Sequence, residues 1–422
     1  MTLSHESENW ILPKPRLDDL IRLLLQEGFE VIGPRIEQQA IVYGPVQSTK
    51  DLPVGWTDRQ APGSYRLEKR QDDAYFGYAV GPHSWKKYLF PPMLRLWQAR
   101  RTTTGFEVRD NESEPPRRAF LGLRACELHA LAVQDRVFIN SERQFADPYY
   151  AKARARLFLI AVECEHPAGT CFCASMGTGP SVKPERIPLL ASKHEDSTRQ
   201  NSGDDATRIP LPITQPANSA GASALPVCDL VLTELDDAFV VRATSSAGQS
   251  IVDRLSPQAA TVEHVEEAGR RVEAAGQSMG RTLDVTEVRN LLHRNQEHPR
   301  WDDAADRCLS CTNCTMVCPT CFCSSVDDVT DLSLENAERV RRWDSCFNPE
   351  FASVHGGDFR PSIRGRYRQW LTHKFASWYD QFGVSGCVGC GRCITWCPVG
   401  IDVTQEITAI RTADGQREGN TQ

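Results

Sequence analysis

Two cysteine-rich stretches near the C-terminus share one spacing, and this spacing constrains the fold more than any other feature. Each reads Cys-x2-Cys-x2-Cys-x3-Cys-Pro. The first contains Cys308, Cys311, Cys314 and Cys318, and the second contains Cys387, Cys390, Cys393 and Cys397. Bacterial-type ferredoxins hold two [4Fe-4S] clusters with this spacing, and in them the cysteine before the proline binds the other cluster. The predicted ligand sets are Cys308, Cys311, Cys314 and Cys397 for the first cluster, and Cys387, Cys390, Cys393 and Cys318 for the second.

Zinc is the alternative interpretation of these cysteines. Zinc sites usually pair two separated Cys-x2-Cys units around one tetrahedral ion, whereas here two complete four-cysteine runs each continue into Cys-Pro. Soft thiolate ligands also suit iron–sulfur iron. The spacing therefore favours clusters, and electron transfer becomes the first functional hypothesis.

Composition limits the remaining classes of function. The chain has 422 residues, of which 40% are hydrophobic and 24% charged, as in a globular protein of two or three domains. Its net charge of -7 predicts no nucleic-acid partner and no attraction to anionic lipid. The N-terminus shows no basic segment followed by an apolar run, and no stretch reaches the roughly 18 apolar residues of a membrane span. Together with 16 cysteines grouped as metal ligands, this predicts a reducing, cytoplasmic location.

Apolar runs predict an α/β N-terminal domain followed by a helical, ferredoxin-like two-cluster [4Fe-4S] domain. Continuous apolar stretches at 118–126, 156–164, 228–235 and 238–243 are typical of buried strands, and leucines at helical spacing predict a helix between Pro15 and Gly28. The expected order is an α/β domain over 1–255, a helical connection over 256–300, the cluster domain over 301–410 and a disordered tail over 411–422. A polar stretch at about 192–224 predicts a flexible insertion.

A third group of cysteines follows two of the predicted strands, namely Cys126, Cys164, Cys171 and Cys173. Their clustering in a turn-rich loop favours a third cluster over simple core packing, which is the common role of buried cysteine. His129 and His166 are expected to be hydrogen-bonding neighbours of this site. Cys321, Cys323 and Cys346, with Cys228, are interpreted as packing or proximal residues.

Two further patterns concern electron flow. Gly389 and Gly391 in one loop, against Ser310, Thr312 and Asn313 in the other, predict clusters of different potential. Segment 339–374 carries eight basic against three acidic residues, interleaved with aromatic ones, and predicts a docking surface for an acidic partner. A solvated face and a single-strand nucleic-acid surface are the alternatives. The chain has no phosphate-binding Gly-rich loop, so a flavin or nicotinamide site is expected on a partner.

Longer strings of sequence resemble one family. They are CLSCTNCTMVCPTCFC at 308–323, WDSCF at 343–347, GGDFR at 356–360, CVGCGRCITWCP at 387–398, PHSWKKYLFPP at 82–92, LRACELHAL at 123–131 and CEHPAGTCFC at 164–173. The chain resembles the beta subunit of cytoplasmic NAD(P)-linked nickel-iron hydrogenases, also called sulfhydrogenases, and the related iron–sulfur subunit of anaerobic sulfite reductase. The likeness leaves out the 192–224 insertion and the last residues.

The resemblance implies a non-catalytic subunit that passes electrons between a flavin subunit handling NAD(P)H and a hydrogenase catalytic module. It supports the eight motif cysteines and, less directly, the third group, and it assigns no catalytic residue. A sirohaem sulfite reductase partner is the sister alternative. An enzyme with its own substrate-activating iron–sulfur site and a nucleic-acid-associated cluster protein are the alternatives from other classes.

Overall fold

The computed structural model describes residues 9–110, 114–140, 145–183 and 227–419. The predicted insertion at about 192–224 lies outside these residues. The strands are β1 (Asn9–Pro13), β2 (Glu30–Glu37), β3 (Ala40–Pro45), β4 (Trp56–Ala61), β5 (Ser64–Lys69), β6 (Met93–Thr102), β7 (Gly105–Asp110), β8 (Arg118–Leu123), β9 (Ile139–Asn140), β10 (Phe145–Ala146), β11 (Leu157–Val162), β12 (Leu230–Glu234), β13 (Ala238–Ala243), β14 (Gln258–Ala259), β15 (Ser324–Thr330), β16 (Asn336–Trp343), β17 (Ser353–Val354) and β18 (Gly357–Asp358).

The helices are α1 (Leu17–Gln26), α2 (Lys86–Leu89), α3 (Ala125–Phe138), α4 (Pro148–Ala155), α5 (Ser246–Leu255), α6 (Val262–Gln277), α7 (Val288–Arg294), α8 (Arg300–Arg307), α9 (Asn313–Met316), α10 (Ile363–Thr372), α11 (Trp378–Phe382), α12 (Arg392–Thr395) and α13 (Val403–Gly419). A π-helical turn, His373–Ser377, joins α10 to α11. The four predicted strands are confirmed as β8, β11, β12 and β13, and α1 confirms the predicted helix.

The N-terminal region is built on an eight-stranded mixed sheet in the order β14-β1-β13-β12-β11-β8-β2-β3. Its centre is parallel, since β11 pairs in parallel with both β12 and β8, and β8 does so with β2. Such strands are covered on both faces, which explains their continuous apolar runs. The short strand β14 pairs with β1, so this sheet extends past the boundary expected at residue 255.

Helices cover both faces of the main sheet. Phe158, Ile160 and Val162 of β11 share one core with α1 and α5, while the alternate residues Leu159 and Ala161 face α3 and α4. This alternation is the two-residue period of a strand. Because β8 and β11 are parallel, the residues that follow them leave the sheet at one edge, and Cys126 and Cys164 lie there.

A second sheet joins the two predicted domains. Its order is β15-β16-β6-β7, so a hairpin of the cluster region pairs with a hairpin of the N-terminal region. Strand β16 pairs antiparallel with β6 from Asn336 opposite Arg100 to Arg342 opposite Met93. The two regions are therefore joined by backbone hydrogen bonds, which the separation into 1–255 and 301–410 did not anticipate.

The C-terminal region is helical, and its core contains Trp301, Tyr367, Leu371, Phe375 and Ile407. The tail expected from residue 411 is wrong for the described part, because α13 runs on to Gly419. Arg411 donates to the carbonyl oxygens of Asp284 and Thr286, and Arg294 pairs with Asp414. These contacts fix the last turns of α13 against the segment around α7.

Candidate iron–sulfur centres

The first cysteine loop lies between α8 and α9. Cys308 ends α8, and Cys314 lies within the single turn of α9. Ser310 and Thr312 adopt positive φ angles of 53° and 69°, which non-glycine residues rarely do. This conformation turns the backbone N–H of Ser310 toward Cys308 Sγ, 3.4 Å away. Two strained residues in one short loop indicate a conformation kept for function rather than for chain geometry.

The second loop has the same backbone conformation at the same offsets. Gly389 and Gly391 have φ angles of 63° and 73°, and Gly389 N–H donates to Cys387 Sγ at 3.4 Å. The short helix α12 then follows, as α9 does in the first loop. The two cysteine runs thus form a structural repeat, in which only the second uses glycine for the unusual angles.

The structure brings together the cysteines that the spacing assigned to the first set. Cys314 interacts electrostatically with Cys308, Cys397 and Cys311. Cys308, Cys311, Cys314 and Cys397 line one cavity, whose wall includes Phe347, Tyr367 and Trp370. Ile401 N–H donates to Cys397 Sγ at 3.3 Å. An apolar pocket with amide donors aimed at sulfur has the chemistry that a cluster needs, and Cys311, which is exposed, places this site near the surface.

The second set is also brought together. Cys393 interacts with Cys387, Cys390 and Cys318. Two buried cations contact this set, because Lys374 Nζ donates to Cys318 Sγ at 3.2 Å and the Arg392 guanidinium donates to Cys390. The second set therefore has cations hydrogen-bonded to its sulfurs, whereas the buried Arg366 near the first set interacts with Cys308 only electrostatically.

The ionisation of these thiols fits a metal cluster. Burial raises the pKa of Cys387 to about 12 and that of Cys314 well above its usual range, with neighbouring thiols adding to the effect. Thiolate, the form that binds metal, is disfavoured there unless a positively charged group compensates it. Iron, when bound, would supply that charge. Among the described residues, no three His, Cys, Asp or Glu side chains are placed to bind a single metal ion. This arrangement is compatible with a cubane, because each thiolate of a cubane binds a different iron.

The third group also lies together. Cys126, Cys164, Cys171 and Cys173 are all buried. Cys171 interacts with Cys173 and Cys164, and Cys126 interacts with Cys173. His166 contributes a backbone N–H to Cys164, and burial lowers the pKa of His129 and His166 to about 4. Both imidazoles are therefore neutral at physiological pH.

The third group packs directly on the second loop. Phe172 N–H donates to Gly389 O at 2.8 Å, Thr178 Oγ1 donates to Val388 O at 2.7 Å, and the Cys171 thiol lies 3.8 Å from Cys390 O. A Cβ at Gly389 would lie 2.7 Å from the backbone of Cys173. Glycine at this position is required by the close approach of the two loops as well as by its φ angle.

One group of residues was underestimated from the sequence. Cys321 contacts Cys318, and Cys323 contacts Cys346, so these three cysteines, interpreted from the sequence as packing or proximal residues, lie close to Cys318 of the second set. Lys86 and Lys374 are buried against them. The pattern Cys-Phe-Cys followed by a strand hairpin and Cys346 was the available signal. Cys228 is elsewhere, with its thiol 3.4 Å from Thr244 Oγ1.

The basic segment is largely neutralised within the protein. Arg339 pairs with Asp328, Arg342 with Asp327, and Arg341 with Asp147. Arg364 and Arg368 share Glu297. Most of the acidic partners lie outside segment 339–374, so counting charges within it overstated its positive character. Charge-driven docking of an acidic partner loses its main support.

Sequence comparisons with known proteins also point to iron–sulfur chemistry. Residues 307–401 match the family model described as a 4Fe-4S dicluster domain. The chain is 26% identical over 400 residues to sulfhydrogenase 2 subunit beta of Pyrococcus furiosus, covering 92% of this chain and 97% of that protein. No solved structure matches the chain. In the described part of the chain, no helix is both long and apolar enough to cross a bilayer. The chain thus fits the beta subunit of a sulfhydrogenase, as its motifs indicated, and contains a 4Fe-4S dicluster domain.

Proposed function

We propose that this chain is a non-catalytic electron-transfer subunit of a hydrogenase-type oxidoreductase. It relays single electrons through two [4Fe-4S] clusters between a flavin subunit that handles NAD(P)H and a nickel-iron catalytic module. The similar protein from Pyrococcus furiosus is named as a sulfhydrogenase subunit, and the matched domain is a dicluster domain. Both support the relay over an enzyme with its own substrate site.

The observation that carries the proposal is the repeated cysteine loop. Cys397 from the second run joins Cys308, Cys311 and Cys314, while Cys318 from the first run joins Cys387, Cys390 and Cys393. This exchange ties both sets into one unit, as two-cluster ferredoxins do. When bound, each cluster would accept and release one electron. The protein's part is to hold the sulfurs, to direct amide donors at them and to exclude water with aromatic side chains.

The proposal includes a third cluster at Cys126, Cys164, Cys171 and Cys173. Its position supports a relay, because Cys126, Cys171 and Cys173 all interact with Cys390 of the second set. Electrons could then pass from the dicluster domain toward the edge of the main sheet. The three sets would form a chain of centres through the interior.

Iron counting tests the number of clusters. The chain is purified anaerobically and analysed for iron, acid-labile sulfide and EPR signals. The two dicluster sets account for about eight irons and the third group for about four more, which Cys171→Ala should lose. Cys228→Ala, a buried cysteine outside every set, is the control and should keep all its iron. Full iron content in the double variant Cys311→Ala with Cys390→Ala would overturn the proposed ligands.

Co-purification tests the partners. The native complex should contain flavin and nickel in proportion to this chain, and NAD(P)H should reduce its clusters only when the flavin subunit is present. A co-purifying sirohaem protein would replace the hydrogenase assignment with a sulfite reductase. Reduction of the isolated chain by NAD(P)H would contradict the division of labour between subunits.

A further inference from the structure

Three cysteines outside the predicted sets lie together next to Cys318. The Cys321 side chain contacts that of Cys318, and the Cys323 side chain contacts that of Cys346. Cys321 and Cys323 also interact electrostatically with each other. The dicluster spacing assigns none of the three, because Cys397 completes the first set and Cys318 completes the second.

The second sheet places these cysteines. Strands β15 and β16 form a hairpin in which Ser324 lies opposite Trp343. The pairing continues one residue beyond the strands, because Asp344 N–H donates to Cys323 O at 2.9 Å. Ser345, whose Oγ lies 2.8 Å from Thr315 Oγ1, fixes the turn that leads to Cys346. The hairpin thus brings Cys346, the third thiol, back beside Cys321 and Cys323.

Two buried lysines face this group. Lys86 and Lys374 are each only 4% exposed. Lys86 Nζ donates to Cys321 O at 3.1 Å and lies 3.9 Å from the centroid of the Trp343 ring. Lys374 Nζ donates to Cys318 Sγ at 3.2 Å and to Thr320 Oγ1 at 3.0 Å. Among the described residues, neither lysine forms an ion pair with a carboxylate.

Charge balance indicates that a negatively charged group lies beside Lys86 and Lys374. Burying an ammonium group without a counter-charge costs several kcal/mol, so buried lysines are normally paired with an anion. The second set supplies negative charge near Lys374. Lys86 comes from the N-terminal region and interacts with Cys321, Cys318 and Cys323, so these sulfurs are the negative groups that face it.

We propose that Cys321, Cys323 and Cys346 bind a further iron–sulfur cluster through three protein thiolates, with Lys86 and Lys374 balancing its negative charge. Because Cys318 completes the second set, three thiols remain, and these match either a three-iron cluster or a four-iron cluster with one iron not bound by cysteine. The site goes beyond the proposed relay function, since neither the dicluster spacing nor the third group includes it.

The test compares the anaerobically purified chain with the triple variant Cys321→Ala, Cys323→Ala, Cys346→Ala. We expect the variant to lose roughly three to four irons per chain. It should also lose the nearly isotropic EPR signal that a three-iron cluster gives, directly or after mild oxidation. Cys228→Ala should keep both. Unchanged iron and EPR in the triple variant would overturn the proposal, as would loss of zinc instead of iron.

A milder variant covers the case in which the triple variant does not fold. Cys346→Ser keeps the size of the side chain and offers oxygen in place of sulfur. In a chain whose circular dichroism is unchanged, it should alter or abolish the same EPR signal; an unaltered signal would overturn the proposal. The signals of the two dicluster sets report on the relay independently, so their presence without this signal would contradict this site alone.

Discussion

At the scale of single residues, buried cations that donate hydrogen bonds to sulfur distinguish the second dicluster set from the first. Arg392 has no solvent exposure, and its guanidinium donates to Glu127, to Gly81 O and to Cys390. Lys374 donates to Cys318. Positive charge beside a cluster favours its reduced, more negative state. The sequence predicts clusters of unequal potential from the different residues of the two loops. We expect the charged side chains, whose placement depends on tertiary structure, to have the larger effect.

Lys374→Met tests this cause. Removing the ammonium group should shift the midpoint potential of the second cluster to a more negative value, measured by EPR-monitored redox titration, and leave the first cluster unchanged. Lys50→Met, at an exposed position, should shift neither potential. Equal shifts of both clusters, or no shift, would contradict the assignment of Lys374 to the second set.

Glu127→Ala tests the buried ion pair. Glu127 accepts hydrogen bonds from Arg392, Tyr43 and Trp85, and it is 2% exposed. Its removal leaves the Arg392 charge buried without its carboxylate partner, which should lower the apparent free energy of unfolding by about 3–5 kcal/mol in denaturant titration. Glu114→Ala breaks an exposed pair with Arg156 and should cost less than about 1 kcal/mol. Similar losses of unfolding free energy in both variants would contradict the idea that burial makes the Glu127–Arg392 pair more important than the exposed pair.

At the scale of elements, the two cysteine loops share a backbone and differ in their neighbours. In the first loop Ser310 uses its side chain, donating to Phe347 O at 3.2 Å. In the second, Gly389 and Gly391 face the backbone of residues 170–173, where a Cβ would collide. The difference in sequence between the loops therefore reflects what packs on each of them.

Gly389→Ala should separate the second loop from the third group. The added Cβ would meet Cys173 backbone atoms at 2.7 Å, and the φ angle of 63° adds strain of about 1–3 kcal/mol. We expect a lower thermal midpoint and loss of iron from the third group. In contrast, Gly269→Ala lies in α6 with nothing within 4 Å and should stabilise the chain by about 0.5–1 kcal/mol. A lower stability of Gly269→Ala together with an unchanged stability of Gly389→Ala would contradict both predictions.

The elements also show what could be predicted from the sequence. Strands β8, β11, β12 and β13 were predictable because buried parallel strands need continuous apolar residues. The cysteine spacing likewise identified both cluster loops. The pairing of β16 with β6 was not predictable from the sequence. Val340 of β16 is buried, but most of the other residues of β16 are polar. A strand without a clear apolar face does not indicate which strand it pairs with. The position of Cys346 depends on the β15–β16 hairpin, so the sequence did not indicate that Cys346 lies beside Cys323.

At the scale of the whole molecule, the N-terminal and cluster regions form one structure. They share the β15-β16-β6-β7 sheet, the Arg392–Glu127 pair and the hydrogen bond between Phe172 and Gly389. The third group is in the N-terminal region, yet it touches the second loop. The chain is better described as one scaffold around several cysteine sets than as a ferredoxin attached to a separate domain.

Fragment expression tests this integration. Residues 301–422 produced alone should be poorly soluble and contain less iron than expected for two clusters, because β16 lacks its partner and Arg392 lacks Glu127. Co-expression with residues 1–300 should restore iron content and EPR signals. A soluble, fully loaded 301–422 fragment would show that the dicluster part folds independently.

The shared sheet has a consequence for the order in which the protein is made. Strand β6 leaves the ribosome about 230 residues before β16, its partner in the sheet. At translation rates of 5–20 residues per second, this is a delay of roughly 10 to 50 seconds during which one edge of β6 has no partner. Exposed strand edges invite aggregation, so the nascent chain is most exposed to it during this interval. Each proposed dicluster set includes a cysteine at or beyond residue 387, so we expect neither set to be complete before the C-terminal segment is made.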